Sequence, residues 1–312
     1  MILTVTLNPA VDMDFIVRDL QPGERYRAGV DVSRRSPGGA GINISIVLKR
    51  LGLPSIATGF LAGFDGSCIL DELQKEDIFT NFVHIGGETR INVCIIDIAK
   101  NSETRLHERG VEVSAPDRDT FLRTYERVLT RTDMVSIGGS LPPGIDASIY
   151  GEMVRMAKNA AIPVMLHPAE EDLEAALEEA PSVVKLNYQR SWLRSSHVQM
   201  SVDAFMECAR SLHGRGTQWV VMSLDQDKVA FSSPTGAWIA EGPLSEMSYV
   251  YATEDALLAG ILAGLQERAF PERIMRLAMA CYRECATHPE KFPKDRACVE
   301  ERTPGVLLKE IV

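Results

Sequence analysis

The sequence lacks any apolar run long enough to cross a bilayer. Its longest uninterrupted stretch is ALLAGILAGL at 256–265, well short of the roughly 18 residues that a transmembrane helix requires. The first residues, MILTVTLNPAVD, contain no basic segment and reach Asn8 and Pro9 too early for a signal peptide. We therefore expect a cytoplasmic protein with no membrane partner.

Cysteine and histidine are scarce, and their spacing is not that of metal ligands. None of the six cysteines forms a CxxC pair, and the six histidines show no HExxH spacing. The pattern predicts reduced, buried thiols and no metal site built from these residues.

Basic residues are outnumbered, with 33 Lys and Arg against 43 Asp and Glu, a formal net charge of −10. Such a field repels nucleic acid and anionic membranes, which argues against both as partners. A small anionic ligand remains open where basic residues converge. The 312 residues, 45% of them hydrophobic, suffice for one large domain or a domain with an appendage.

From about residue 55 onward, short apolar runs alternate with longer segments of helical periodicity. The candidate strands are SIATGFL, MVSIGG, IPVMLH, SVVKLN and WVVMSL. The segments between them, such as DGSCILDELQKE and VDAFMECARSLHG, place apolar residues at three-to-four spacing. This pattern predicts an α/β fold, a three-layer α/β/α sandwich on a mostly parallel sheet.

Two segments, 12–36 and 88–110, depart from this alternation. Within them DMDFIV and RINVCIID alternate in the manner of half-buried antiparallel strands. We expect a small separate sheet, whose open face would need either a second copy or a bound ligand to cover it.

Two glycine-containing loops could approach a ligand. RRSPGGAGINIS at 34–45 matches neither the P-loop nor the GxGxxG spacing, and alone it equally suits a plain turn into a helix. SIGGSLPPG at 136–144 is not a hydrolase nucleophile elbow, because Pro142 stands where glycine is required. It places Ser140 at the carboxyl end of a strand, where α/β sheets bind ligands, although a proline-rich turn also fits.

Taken together, the chain resembles one family. TLNPAVD, GGAGINIS, GGETRINV, GSLPPG, KLN and DALLAGILAGL occur in the order of the PfkB (ribokinase-like) carbohydrate kinases, above all the 1-phosphofructokinase and tagatose-6-phosphate kinase group. The resemblance covers essentially the whole chain. It implies a single ribokinase-like domain over 1–312, a β-sheet lid formed by about 12–36 and 88–110, and a homodimer through the lids.

The resemblance also implies a sugar-phosphate substrate and the residues that bind it. The residues implied for the sugar hydroxyls are Asp12, Gly38, Gly39 and Asn43, and those for the existing phosphate are Arg90 and Ser140. Carboxylate and amide groups can bond vicinal hydroxyls, and a guanidinium makes charge-assisted bonds to phosphate. Outside GETRIN, Arg90 would be interpreted as an ordinary exposed arginine.

For the phosphoryl donor, the resemblance implies ATP with Mg²⁺, and Asp255 as the base that takes the proton from the sugar hydroxyl. Lys185, Asn187 and Ser223 match positions on the nucleotide side. A strand end would also explain Lys185, and a turn would explain Ser223, without any ligand.

The departures from the family concentrate on ATP. The GAGD string of relatives is here Ala252, Thr253, Glu254 and Asp255. Four other strings of the family are also altered. Ala40 replaces the lysine of GGKG, and Arg190 replaces the glutamate of NxxE. Asp225 and Lys228 replace glycines of SLGADG, and HPAE, which starts at His167, stands in place of DxSG. A second carboxylate at about 5 Å from the phosphoryl group would cost roughly 3 kcal/mol at an effective dielectric near 20.

These observations leave alternatives open. Glu254 and Asp255 could simply stabilise a helix N-terminus, because acids there oppose the helix dipole. We expect a ketohexose-phosphate kinase homologue whose activity is weak or lost, and alternatively a non-catalytic sugar-phosphate-binding protein that acts as a sensor or as a partner of an active relative. A purely structural dimerisation protein is disfavoured by the retained sugar-side residues.

Overall fold

Apolar runs form strands and amphipathic segments form helices in the computed structural model, which describes residues 1–27, 33–100, 102–169, 173–187, 201–225, 227–242, 253–287 and 291–311. The strands are β1 (Ile2–Thr6), β2 (Ala10–Val17), β3 (Ser33–Gly38), β4 (Ser55–Ala62), β5 (Phe79–Thr80), β6 (Val83–Ile85), β7 (Arg90–Asp97), β8 (Ser102–His107), β9 (Met134–Gly139), β10 (Val164–Pro168), β11 (Val183–Asn187), β12 (Trp219–Ser223), β13 (Lys228–Ser233), β14 (Gly236–Glu241) and β15 (Leu307–Glu310). The helices are α1 (Ala40–Arg50), α2 (Gly63–Lys75), α3 (Ala115–Leu129), α4 (Ser148–Asn159), α5 (Glu174–Glu178), α6 (Val202–Arg215), α7 (Thr253–Gln266), α8 (Pro271–Thr287) and α9 (Arg296–Arg302).

Within these residues the main sheet joins 11 strands in the order β15-β14-β13-β12-β11-β10-β9-β1-β4-β5, with β6 also paired to β4. Neighbours from β12 to β5 are parallel, as predicted. The antiparallel edge of β13, β14 and β15 was not predicted. The chain passes from β1 to β4 on one side and later to β9 on the other. The strand order therefore reverses beside β1, and open α/β sheets bind ligands at the carboxyl ends of the strands at such a point.

Helices cover both faces of the main sheet, because its parallel strands are apolar on both sides. On β1, Leu3 and Val5 point into a core shared with α3, α4 and α6, whereas Ile2 points into the opposite core, shared with α1, α7 and α8. This alternation follows from the period of two along a strand. The three-layer α/β/α arrangement predicted from the sequence is confirmed.

A second sheet has the order β3-β2-β7-β8. Its outer pairs, β2–β3 and β7–β8, are antiparallel, but the central pair β2–β7 is parallel. The expectation of antiparallel strands was therefore wrong for the central pair. The physical reason is that β2 continues from β1 and β7 continues from β6, and both β1 and β6 run parallel to β4. The register places Asp12 opposite Asn92.

Helix α7, which carries the acidic pair in its first turn, is anchored by close packing. It is buried on all sides from Ala256 to Gly264. A Cβ at Gly260 would lie 2.6 Å from the Cα of Ala278 on α8, so only glycine fits this contact. Although α7 is apolar throughout, no helix in the described ranges has the length and hydropathy of a membrane span.

The substitution Gly260→Ala should lower the free energy of unfolding by about 1–3 kcal/mol, because the added methyl group overlaps the α8 backbone. Gly214 in α6 is the matched control, since nothing lies within 4 Å of its Cβ position. Gly214→Ala should raise the free energy of unfolding by up to about 1 kcal/mol through helix propensity. Urea unfolding measures both, and an unchanged Gly260→Ala would show that α7 and α8 can move apart.

Candidate active site

Arg90 and Ser140 meet at the carboxyl ends of β1 and β9. Arg90 Nη2 donates to Ser140 Oγ at 3.2 Å and to the carbonyl of Asn8 at 2.9 Å, and Nη1 donates to the carbonyl of Glu108 at 2.9 Å. Asn8 Nδ2 lies 3.3 Å from Ser140 Oγ. Arg90 and Ser140, which are both predicted to bind phosphate, are thus adjacent. Hydrogen bonds to backbone carbonyl groups hold the Arg90 side chain in place.

Asp12 lies buried on β2, and side chains from two other parts of the chain donate to its carboxylate. Asn92 Nδ2 donates to Asp12 Oδ1 at 3.0 Å, and Lys291 Nζ donates to Oδ2 at 2.8 Å. A Cβ at Gly38 would lie 2.3 Å from Asp12 Oδ2. Glycine at 38 is therefore required by the close approach of β3 to this carboxylate.

Asn43 and Asp255 meet across 212 residues of sequence. Gly39 begins α1 with a φ of 116°, a conformation that glycine adopts at low cost, and a Cβ there would lie 2.4 Å from Thr6 Cγ2. Asn43, one turn further on, donates through Nδ2 to Asp255 Oδ2 at 2.7 Å. The first turn of α1 and the first turn of α7 thus face each other.

Buried acceptors without donors surround these carboxylates. Asp14 Oδ1, Asn43 Oδ1 and Asn92 Oδ1 are buried and accept no hydrogen bond from the residues that the structure describes. Asp14 lies on the same side of β2 as Asp12, because side chains two apart share a face. Buried polar atoms are normally paired, so these oxygens call for a ligand that supplies hydroxyl donors.

Two of the three residues predicted on the nucleotide side contact the carboxylate of Glu254. Lys185 Nζ forms an ion pair with Glu254, and Ser223 Oγ lies 2.8 and 3.0 Å from its two carboxylate oxygens. The third, Asn187, ends β11 opposite Ser223 in the backbone register of β11 and β12. Lys185 is only 4% exposed. Glu254 is thus the acceptor for both Lys185 and Ser223.

Comparison with known proteins identifies the family. The model of the pfkB family of carbohydrate kinases matches residues 10–290. A 1-phosphofructokinase of Bacillus subtilis (strain 168) is 30% identical over 279 residues, which cover 89% of this chain and 90% of that protein. This chain belongs to the pfkB family of carbohydrate kinases.

Solved structures agree with the pfkB assignment. The crystal structure of a "Possible 1-phosphofructokinase" from Thermotoga maritima is 31% identical, with a TM-score of 0.91 over the whole of both chains. Phosphofructokinase-2 from Escherichia coli in complex with fructose-6-phosphate has a TM-score of 0.84 at 20% identity, covering 97% of this chain and 98% of that chain. This second likeness bears on the fold alone.

The environment of Glu254 corrects one inference from the pfkB motif. Glu254 was expected to be an uncompensated negative charge, but in the structure it forms an ion pair with Lys185. The difference arises because Lys185 is 69 residues away in sequence and comes from a neighbouring strand. Lys228, another departure, lies 3.8 Å from Asp225 at the surface. Ala252 and Arg190, two further departures, fall outside the described residues.

Burial governs the protonation of two groups in this pfkB site. It raises the pKa of Asp255 to about 6, against the opposing effects of the Asn43 hydrogen bond and the charge of Lys291. It lowers the pKa of His167 to about 3, helped by the charge of Lys185. His167 is therefore neutral at pH 7 and bonded to Ser136 Oγ at 2.7 Å. Asp255 can gain or lose a proton near neutral pH.

Sequence reasoning missed two residues that touch Asp12. Asn92 lies inside the GETRIN string and two positions after Arg90, so the alternation of β7 could have placed it on the same face. Lys291 gives no comparable signal, because no motif or periodicity relates it to a strand 279 residues earlier.

Replacing Asp255 should change how stability depends on pH. Because its folded pKa of about 6 exceeds the ordinary 3.8, this group stabilises the fold below about pH 4, and the contribution is lost as pH rises through about 6. The difference in pKa corresponds to roughly 3 kcal/mol. The free energy of unfolding of Asp255→Asn minus that of wild type should therefore increase by about 3 kcal/mol as the pH rises from about 4 to about 7.

Urea unfolding across this pH range measures the effect. The control is Asp119→Asn, which removes a carboxylate that is 59% exposed on α3 and should show no such change. A constant difference between Asp255→Asn and wild type across the range would contradict the prediction.

Proposed function

We propose that this chain is a PfkB-type homologue of the ketohexose-phosphate kinases, that it retains a site for phosphorylated fructose or tagatose, and that its phosphoryl transfer is weak or absent. Membership of the family and the two 1-phosphofructokinase-like relatives support the substrate class. The single observation that carries the proposal is the position of Arg90 and Ser140 beside buried oxygen acceptors of the second sheet, where Ala10 lies opposite Arg90 and Asp12 opposite Asn92 in the β2–β7 register.

The cationic corner is Arg90 with Ser140, 3.2 Å apart. A phosphate bound there would take charge-assisted hydrogen bonds from the guanidinium and one from the hydroxyl. Asp12 would accept from hydroxyl groups of the sugar alongside its bonds from Asn92 and Lys291. The same hydroxyl groups would supply the donors that Asn43 Oδ1 and Asn92 Oδ1 lack.

Asp255 is the group that would accept the proton of the sugar hydroxyl. Its pKa of about 6 leaves it mostly ionised at pH 7–8 yet still a useful base, since a general base works best near the operating pH. The Asn43 hydrogen bond fixes one of its oxygens, and the other oxygen would accept the proton.

PfkB kinases use ATP and a divalent metal, and the nucleotide-side residues that the structure describes do not fit a triphosphate as they are arranged. Lys185 and Ser223 are both engaged by Glu254. Among the described residues, no cluster of three or more His, Cys, Asp or Glu side chains is placed to hold a metal ion. A nucleotide phosphate would have to compete with a tethered carboxylate for these donors.

The engagement of Lys185 and Ser223 by Glu254 favours a second candidate function. The protein would then be a non-catalytic sugar-phosphate-binding protein that acts as a sensor or as a partner of an active relative. Such a protein would keep the sugar pocket and leave the Glu254 contacts undisturbed. In either case we propose one ribokinase-like domain, with the second sheet as a lid over the sugar and as the surface of a homodimer.

A thermal-shift panel tests the proposal. Fructose 1-phosphate, fructose 6-phosphate and tagatose 6-phosphate are each added with and without ATP and Mg²⁺. A ligand at 100 times its Kd should stabilise the protein by about 2.7 kcal/mol. Stabilisation by a sugar phosphate but not by ATP supports the proposal, and stabilisation by none of the sugar phosphates would refute it. Turnover assays on the same mixtures separate the two candidate functions.

Arg90→Ala should weaken binding of the stabilising sugar phosphate by roughly 50-fold, because the charge-assisted bonds to the phosphate are lost. Arg90→Lys should bind with intermediate affinity, since it keeps the charge but not the planar fork. Isothermal titration calorimetry gives each Kd. The control is Arg123→Ala on the exposed face of α3, which should bind like wild type. Equal affinity of Arg90→Ala and wild type would place the phosphate elsewhere.

Glu254→Gly should make the protein responsive to nucleotide, because it frees Lys185 and Ser223 and returns glycine to the third position of the family string. Without nucleotide, the variant should lose about 2 kcal/mol of stability, since Lys185 is left buried without that partner. ATP with Mg²⁺ should then raise its melting temperature.

The matched control is Glu272→Gly, an exposed acid in the first turn of α8. It should gain no response to nucleotide. If ATP with Mg²⁺ stabilises wild type as much as Glu254→Gly, the Glu254 carboxylate does not compete with nucleotide.

A further inference from the structure

A lysine from the C-terminal part of the chain reaches the sugar side of the site. Lys291 follows α8, yet its ammonium group donates to Asp12 Oδ2 at 2.8 Å. Its side chain is 7% exposed and that of Asp12 is 3% exposed. Lysine is rarely buried to this extent unless it is paired.

The backbone at Lys291 is held in a conformation that costs energy. Its φ is 70°, in the left-handed region, which costs roughly 1–2 kcal/mol for a residue other than glycine. The buried thiol of Cys285 donates to the carbonyl of Lys291 at 2.6 Å. The ring of Phe292 lies 5.3 Å from Nζ and lines the ammonium with an aromatic face. The segment is thus braced at several points so that the ammonium reaches Asp12.

The charges around this ammonium show what it does there. Besides the Asp12 contact, its charge acts on Asp14 and Asp255, so three carboxylic groups surround one cation. The other polar partners, Asn43 and Asn92, are neutral. Without the ammonium, these carboxylates would oppose the entry of a phosphorylated, anionic sugar.

We propose that Lys291 is a positioning residue of the sugar site, where its ammonium group orients the Asp12 carboxylate toward the sugar hydroxyls and offsets the carboxylate charge that opposes a phosphorylated sugar. This inference rests on the proposed sugar-phosphate site. It adds Lys291 to that site, beside the residues of the two loops and the second sheet.

The test compares Lys291→Met, Lys291→Arg and Lys294→Met by isothermal titration with the sugar phosphate that most stabilises the wild type in the panel above. Lys291→Met should raise the Kd roughly 30-fold or more, the range expected for a lost charged hydrogen bond. Lys291→Arg, which restores the charge, should stay within about 5-fold of wild type. Lys294→Met removes an exposed lysine of the same segment and should leave the Kd unchanged.

Circular dichroism and melting temperature establish that each variant is folded. If Lys291→Met does not fold, Lys291→Gln replaces it; glutamine removes the charge that offsets the carboxylates but can still donate to Asp12, so a smaller rise in Kd above the wild-type value is expected. A wild-type Kd in Lys291→Met, or in Lys291→Gln where it stands in, would overturn this inference alone. Folded Lys291→Arg as weak as Lys291→Met would show a packing role and overturn it too. Absence of sugar-phosphate binding by wild type would overturn the proposed function and this inference together.

Discussion

The carboxylate of Asp12 is the contact on which the arrangement of the site depends. It is bonded by Asn92 from the neighbouring strand and by Lys291 from the far end of the chain, and the backbone at Gly38 presses against it. A buried carboxylate has to be compensated, because an unpaired charge in the interior is very costly. That requirement ties the second sheet to the C-terminal segment over the carboxyl edge of the main sheet.

The first turn of α7 separates two parts of this edge that differ in their charges and hydrogen bonds. On one side Asp255 faces Asn43 and a pocket of oxygen acceptors that lack donors. On the other side Glu254 satisfies Lys185 and Ser223 with a carboxylate from the chain itself. Two adjacent residues therefore differ in their surroundings: buried oxygens near Asp255 lack donors that a ligand could supply, whereas the described donors near Glu254, Lys185 and Ser223, already have an acceptor. Helix-dipole stabilisation also applies to both acids, but it does not account for their separate sets of partners.

Much of this arrangement could be predicted from the sequence, and the exceptions share a cause. The parallel strands followed from runs such as MVSIGG and WVVMSL, and the motif strings indicated Arg90 and Ser140 as partners in one site. Local patterns report which face a residue occupies, but not which residue from another element meets it there. The pairing of Glu254 with Lys185 and of Asp12 with Lys291 therefore could not be predicted. The parallel direction of β2 and β7 was missed for the same reason, since it follows from how both strands leave the main sheet.

The tight packing of α7 against α8 has a consequence for timing. Because the backbones touch at Gly260 and the helix is buried from Ala256 to Gly264, its first turn cannot swing away as a rigid arm. Withdrawal of the Glu254 carboxylate is then a change of side-chain rotamer, an event of picoseconds to nanoseconds once the ion pair breaks, whereas hinge motions take microseconds to milliseconds. An incoming anion would therefore displace the Glu254 carboxylate through rotation of that side chain, while α7 itself stays in place.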